Sequence, residues 1–357
     1  MATAKKPLKK TADKTVKKTP LYMRPVKAIH ARATDFMARR PHRSFRLTRR
    51  RDYDRSLKLP GYFAFTKQVR QLLWENKKIF ISLVALYGIV TIIFVGTTSQ
   101  DLFTTLGDTL KETGSEVFTG NFGGVAQAGL LFVATISGAS TQTLTEVQQI
   151  FAVIIALLTW LTTVWLLRNI MAGHKVTMRD GLYNAGAPIV PSFGVLIVLA
   201  LQLLPIAVAL LGYTAASATG LLEGGIEAMV FWFVVALLVL LSLYWATGTL
   251  IAMVVITLPG MYPLQAIRAA GDMVVGRRIR ILLRILWMIA GLAVVWILIL
   301  VPVILFDTWI KTIFTQIAAV PLVPFVMLVV ASFSVVWSAS YIYLLYRKVV
   351  DDDALPA

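Results

Sequence analysis

Residues 229–258 read MVFWFVVALLVLLSLYWATGTLIAMVVITL, thirty positions without one charged side chain. A helix of that length would run about 45 Å, longer than the roughly 30 Å hydrocarbon core of a bilayer. It is therefore long enough to span, and must tilt, bend or project beyond the bilayer. Tyr244, Trp245, Thr247, Gly248 and Thr249 mark a place where a bend is expected, and Pro259-Gly260 should end the helix sharply.

Five more stretches of the same kind surround it, near 79–98, 147–167, 190–212, 283–306 and 318–346. None carries a charge in its middle; Arg284 and Asp307 flank the fifth, where they are expected to reach the headgroups. Across all 357 residues 57% are hydrophobic and 15% charged, against about 25% charged in soluble domains. The expected fold is all-α: a polytopic membrane helix bundle of about six spans. An apolar run at Val125–Ala139 is short for a span. It is read as part of an extracytoplasmic insert, 99–146, packed on the bundle or dipping into the bilayer.

Charge divides the chain in two. Residues 1–78 hold 23 of the 35 Lys/Arg and 5 of the 18 Asp/Glu; the remainder is nearly neutral. Residues 1–59 are Lys-, Thr- and Pro-rich with too few large apolar residues for a core, so a disordered polybasic tail is expected. A cleavable signal is not expected, because the first 30 residues contain no apolar stretch of the needed kind. Residues 60–78, PGYFAFTKQVRQLLWENKK, place Phe65, Val69, Leu72 and Leu73 on one helical face. The expectation is an amphipathic helix lying on the membrane surface. A short tail, 349–357, closes the chain.

Lys and Arg favour the cytoplasmic side of short loops. Beyond the tail, the segments near 168–189, 259–284 and 347–348 carry ten of them, and the opposite segments carry Lys111 and Lys311. Both termini are thus expected on the cytoplasmic side of the cell membrane. A weaker internal echo is also visible. Pro205 and Pro302 each lie about a span beyond a basic loop containing a glycine, Gly173 or Gly271, as a duplicated unit would place them.

The stretch LPGMYPLQAIRAAGDMVVGRRIRILLRILWM, 258–288, resembles the polytopic membrane domain found beside glycerophosphodiester phosphodiesterases and, alone, in bacterial membrane proteins of unassigned role. The matching residues are Pro263, Ala266, Gly276, Arg277 and Leu282. The likeness covers about 30 residues closely and the remainder only in layout. It implies a membrane architecture. It implies no activity, since these 357 residues contain no catalytic phosphodiesterase domain.

Chemistry-bearing patterns are sparse. There is no cysteine, and His30, His42 and His174 lack a patterned partner for nucleophilic catalysis. No metal-ligand spacing and no phosphate-binding glycine loop occurs. A non-enzymatic protein without cofactor or metal is expected. Two groups stand out. Arg268, Arg277, Arg278, Arg280 and Arg284 set topology at the least, and are candidates for anionic lipid or phosphate contacts. Gln202, Pro205, Thr247, Thr249, Pro302, Ser334 and Ser338 either pack helices together or line a polar path. Three functional readings follow. The first is an accessory or scaffold protein that binds anionic lipid or membrane-protein partners. The second is a transporter-like subunit for a small neutral or phosphate-bearing solute. The third is a tether for nucleic acid or ribosomes through residues 1–59.

Overall fold

The computed structural model describes residues 59–96, 145–219, 224–313 and 321–353, with side chains to 351. The polybasic tail up to residue 58, most of the insert including 125–139, and residues 354–357 lie outside them. Nine helices and no strands occur among the described residues. They are α1 (Tyr62–Glu75), α2 (Lys77–Phe94), α3 (Glu146–Met171), α4 (Met178–Ala185), α5 (Ile189–Ala218), α6 (Gly225–Val255), α7 (Pro263–Val274), α8 (Arg278–Ile313) and α9 (Leu322–Asp353).

Six of these, α2, α3, α5, α6, α8 and α9, are long and apolar enough to cross a membrane. They match the six expected stretches, and the protein is a membrane-integrated helix bundle. The long apolar run forms one continuous helix, α6, through Tyr244–Thr249, and turns off at Pro259-Gly260, where Gly260 adopts φ 76°. Its first half exposes Met229, Phe233, Leu237 and Leu240, the apolar surface a lipid-facing helix presents. Its last turns, Ile251–Ile256, are fully enclosed by protein.

The basic loops hold two short helices that the sequence reading left as loops. Asp180 caps the start of α4: the Thr177 backbone N–H and hydroxyl both donate to Asp180 Oδ2, at 2.9 and 2.7 Å. In α7 Pro263 occupies the first turn, where its missing N–H costs nothing. The chain passes from α7 to α8 in three residues because Gly276 adopts φ 82°, a left-handed conformation open to glycine without strain.

One correction concerns α1. The face that was expected to meet lipid, Phe65, Val69 and Leu73, is buried against the bundle instead. Phe65 meets the Tyr341 ring edge-on at 4.8 Å, and Trp287 Nε1 donates to Thr66 Oγ1 at 3.1 Å. Burial in protein wins because α8 and α9 offer aromatic rings shaped to that stripe, whereas lipid offers only disordered chains.

The packing order is cyclic. The spans form three hairpins, α2–α3, α5–α6 and α8–α9. The second span of each touches the first span of the next: α3 meets α5, α6 meets α8, and α9 returns to α2. Every short helix leans on the hairpin before it. Thus α4 sits on α2 and α3, α7 on α5 and α6, and α1 on α8 and α9. The second spans hold the centre, with α9 against both α3 and α6. Trp160 Nε1 of α3 donates to the Met253 carbonyl of α6 at 3.3 Å.

Candidate basic membrane-surface site

The five arginines of the basic cluster meet different fates. Arg277 is buried and donates through Nη1 to the Val349 carbonyl at 3.4 Å, tying the start of α8 to the last turns of α9. Arg284 is buried as well. Its Nη2 donates to the Pro60 carbonyl just before α1, and its guanidinium lies 4.1 Å from the Tyr62 ring centroid. Arg278 is half-buried, stacked 4.2 Å over the Tyr244 ring. Arginine suits all three places, since its planar cation stacks on rings and bonds carbonyls together. Arg268 and Arg280 are exposed. The cluster therefore divides into a structural set that closes the bundle and a smaller set open to solvent or headgroups.

A sixth cation, Arg168 at the end of α3, belongs to the structural set although the sequence assigned it only to topology. Its Nη1 donates to the Thr257 carbonyl at 2.8 Å and its Nη2 to the Thr257 hydroxyl. This holds the C-terminal ends of α3 and α6 side by side. A cation there also meets the unsatisfied carbonyls and the negative pole of a helix end. The only sequence hint was position, a cation at the last turn of one span and a threonine just past another.

Asp307 lies inside α8, which continues past it to Ile313, and is buried, accepting from Lys311 Nζ at 2.6 Å one turn further on. Outside the spans, Asp180 is held below the usual carboxylate range, first by the Thr177 backbone N–H and then by its hydroxyl.

The polar candidates are drawn into packing. Thr249 Oγ1 donates to Gln202 Oε1 at 2.6 Å, joining α5 to α6. Thr247 Oγ1 donates to the Leu243 carbonyl of its own helix at 2.6 Å. Ser334 bonds the Val330 carbonyl at 2.7 Å and accepts from Trp296 Nε1 at 2.9 Å, linking α8 and α9. Ser338 is half-buried one turn further along α9. Pro205 and Pro302 lie inside α5 and α8, which stay helical on both sides of them. Neither span is discontinuous, so these prolines do not mark broken-helix binding sites.

A cavity of about 220 Å³ opens between α2, α3 and α9, lined by Thr91, Thr159, Ala156, Pro324, Ala331 and Ser332 among others. None of the seven polar-path residues lines it. Thr91 and Thr159 direct their hydroxyls to the Tyr87 and Ile155 carbonyls of their own helices, at 2.7 and 2.8 Å, leaving chiefly apolar walls. Among the described residues no group of three His, Asp or Glu is gathered for a metal ion.

No family model, curated protein or solved structure matches this chain. The five residues of 258–288 singled out in the sequence lie around one joint. Pro263 starts α7, Ala266 is buried within it, Gly276 makes the turn, Arg277 precedes α8 and Leu282 lies in its second turn.

Proposed function

We propose that the protein is a non-enzymatic integral protein of the cytoplasmic membrane, with both termini cytoplasmic. It acts as an accessory or scaffold element that binds anionic lipid on its cytoplasmic surface. The observation that carries this reading is the division of the arginine cluster. Arg277 and Arg284 close the bundle, which leaves Arg268 and Arg280 exposed at the same basic end. The bias of ten Lys/Arg against two supports a cytoplasmic position for that end. Exposed cations beside spans attract anionic headgroups by about 1 kcal/mol each, about fivefold in affinity. The polar residues that could have lined a solute path are engaged in helix contacts, which favours this reading over transport.

Native mass spectrometry of the purified full chain, offered equal phosphatidylglycerol and phosphatidylcholine, tests it. Selective retention of phosphatidylglycerol is expected, falling about fivefold for Arg268→Gln or Arg280→Gln, in line with that energy per cation. Equal retention of both lipids would overturn it. Reporter fusions placing the two termini on opposite sides would overturn the orientation.

A further inference from the structure

We infer that the nine described helices α1–α9 are three copies of one unit, a short amphipathic helix followed by a hairpin of spans, and that the outer faces of α1, α4 and α7 are three equivalent seats for anionic phospholipid headgroups. The inference deepens the lipid-binding reading above and rests on it.

Burial register carries the repeat. In α1 the buried residues are the fourth, eighth and twelfth, Phe65, Val69 and Leu73. In α7 they are again the fourth, eighth and twelfth, Ala266, Ala270 and Val274. The shorter α4 buries its fourth and eighth, Gly181 and Ala185. The match runs on into the following span. Phe80, Leu83 and Tyr87 are buried in α2, and the residues equally far along the third unit, Ile281, Arg284 and Met288, are buried in α8. In the second unit Ser192 and Val195 are buried with the same spacing as Phe80 and Leu83, after the loss of four residues, about one helical turn. The cyclic packing order is what a threefold repeat demands, because each short helix meets the preceding hairpin and α1 meets the last. The glycine-and-proline echo between α5 and α8 lies outside this register: Gly173 precedes α4, whereas Gly271 is the ninth residue of α7.

The same register selects the outer faces. At 100° per residue the second and sixth residues lie about 120° and 160° round the helix from the centre of the buried stripe, and one turn apart they share an outer face. They are Phe63 and Lys67 in α1, Arg179 and Tyr183 in α4, and Leu264 and Arg268 in α7. Each pair is one large apolar or aromatic residue and one cation, with the order reversed in α4. The bulky members are 78%, 88% and 66% exposed, and all three cations are exposed. Each helix joins its span through one residue, Asn76, or through three, 186–188 and 275–277. A helix tethered that closely to a span stays at the membrane interface. There an apolar side chain enters the acyl boundary while its neighbouring cation reaches lipid phosphate. Phe63 touches the Trp287 ring edge-on at 4.9 Å and is otherwise exposed; exposed faces carrying positive charge beside a span fit anionic phospholipid in particular.

The chain contains no cysteine, so single cysteines label cleanly. Phe63→Cys, Tyr183→Cys and Leu264→Cys, each carrying an environment-sensitive fluorophore, are reconstituted in phosphatidylcholine vesicles with and without phosphatidylglycerol. All three labels are expected to report a less aqueous setting, and more so with phosphatidylglycerol; any one that stays water-like overturns the threefold equivalence. In parallel, Lys67→Gln, Arg179→Gln and Arg268→Gln should each lower retained phosphatidylglycerol by a comparable share, and the triple variant should fall to the phosphatidylcholine level. If the wild-type chain retains phosphatidylglycerol selectively but Lys67→Gln and Arg179→Gln change nothing, the seats are wrong and the lipid-binding reading stands. If the wild type shows no selectivity, both fall.

Discussion

Helices α3 and α5 are about equally apolar, yet 56% of the most apolar stretch of α3 is buried inside the protein and 11% of that of α5. Both are spans; only α3 is central. The difference lies in texture. The buried face of α3 carries Thr159, Thr162 and Thr163 among its leucines, with Trp160 and Arg168 reaching across to α6. Threonines let backbones approach, and their hydroxyls bond within the helix or across it, as Thr162 does with Tyr87 Oη at 2.8 Å. By contrast, α5 is mostly leucine, alanine and valine, which sit equally well against lipid. Between helices in a bilayer no hydrophobic force sorts inside from outside, so shape and hydrogen bonds do.

The sharpest way to break this contrast is a matched pair of truncations. Leu166→Ala, in the enclosed end of α3, should cost about 2–5 kcal/mol, because the space it leaves is walled by protein. Leu204→Ala, on the exposed side of α5, should stay within about 0.5 kcal/mol. Thermal unfolding of both variants in one detergent compares them, and equal losses would mean that the centre is not where α3 stands. A smaller loss, about 1–3 kcal/mol, is expected for Gly181→Val. A Cβ at Gly181 would come within 2.9 Å of Leu166 Cγ, so α4 must lift from α3; faster proteolysis at Arg179 would report it. Gln202→Leu removes the bond between α5 and α6 and should cost only about 0.6 kcal/mol, as typical membrane hydrogen bonds do. Thr249→Val in the same background should then add almost nothing in a double-mutant cycle.

The smallest effect concerns the cap of α4. Folding lowers the Asp180 pKa, so the carboxylate contributes its stabilisation above the ordinary carboxylate range and loses it as pH falls through the depressed value. Amide exchange in α4 should therefore speed up in acid, and Asp180→Asn should make it independent of pH across that window.

Much of this molecule is readable from residue order. The six spans follow from uninterrupted apolar length, and the stripe Phe65–Val69–Leu73 from helical spacing. What that stripe touches was not readable, since an amphipathic face suits a membrane surface and a protein groove equally. Nor were α4 and α7. Apart from Val274 at the end of α7, their buried positions are Gly181, Ala185, Ala266 and Ala270, too small to announce an apolar face, though small because the helices beneath press close. For the arginines, charge and position were visible, but a guanidinium stacked on Tyr62 and one facing solvent are written with the same letter.

Residue order thus determined that the chain enters a membrane, where its six long apolar stretches lie, and which segments carry positive charge, because length and hydropathy are properties of consecutive residues. Which span stands in the centre, which arginines become buried fasteners, and how the first helix closes on the last two were decided only in three dimensions. Each depends on contacts between segments far apart in the chain, such as Arg284 with the Pro60 carbonyl and Arg168 with Thr257, and no local pattern records its partner.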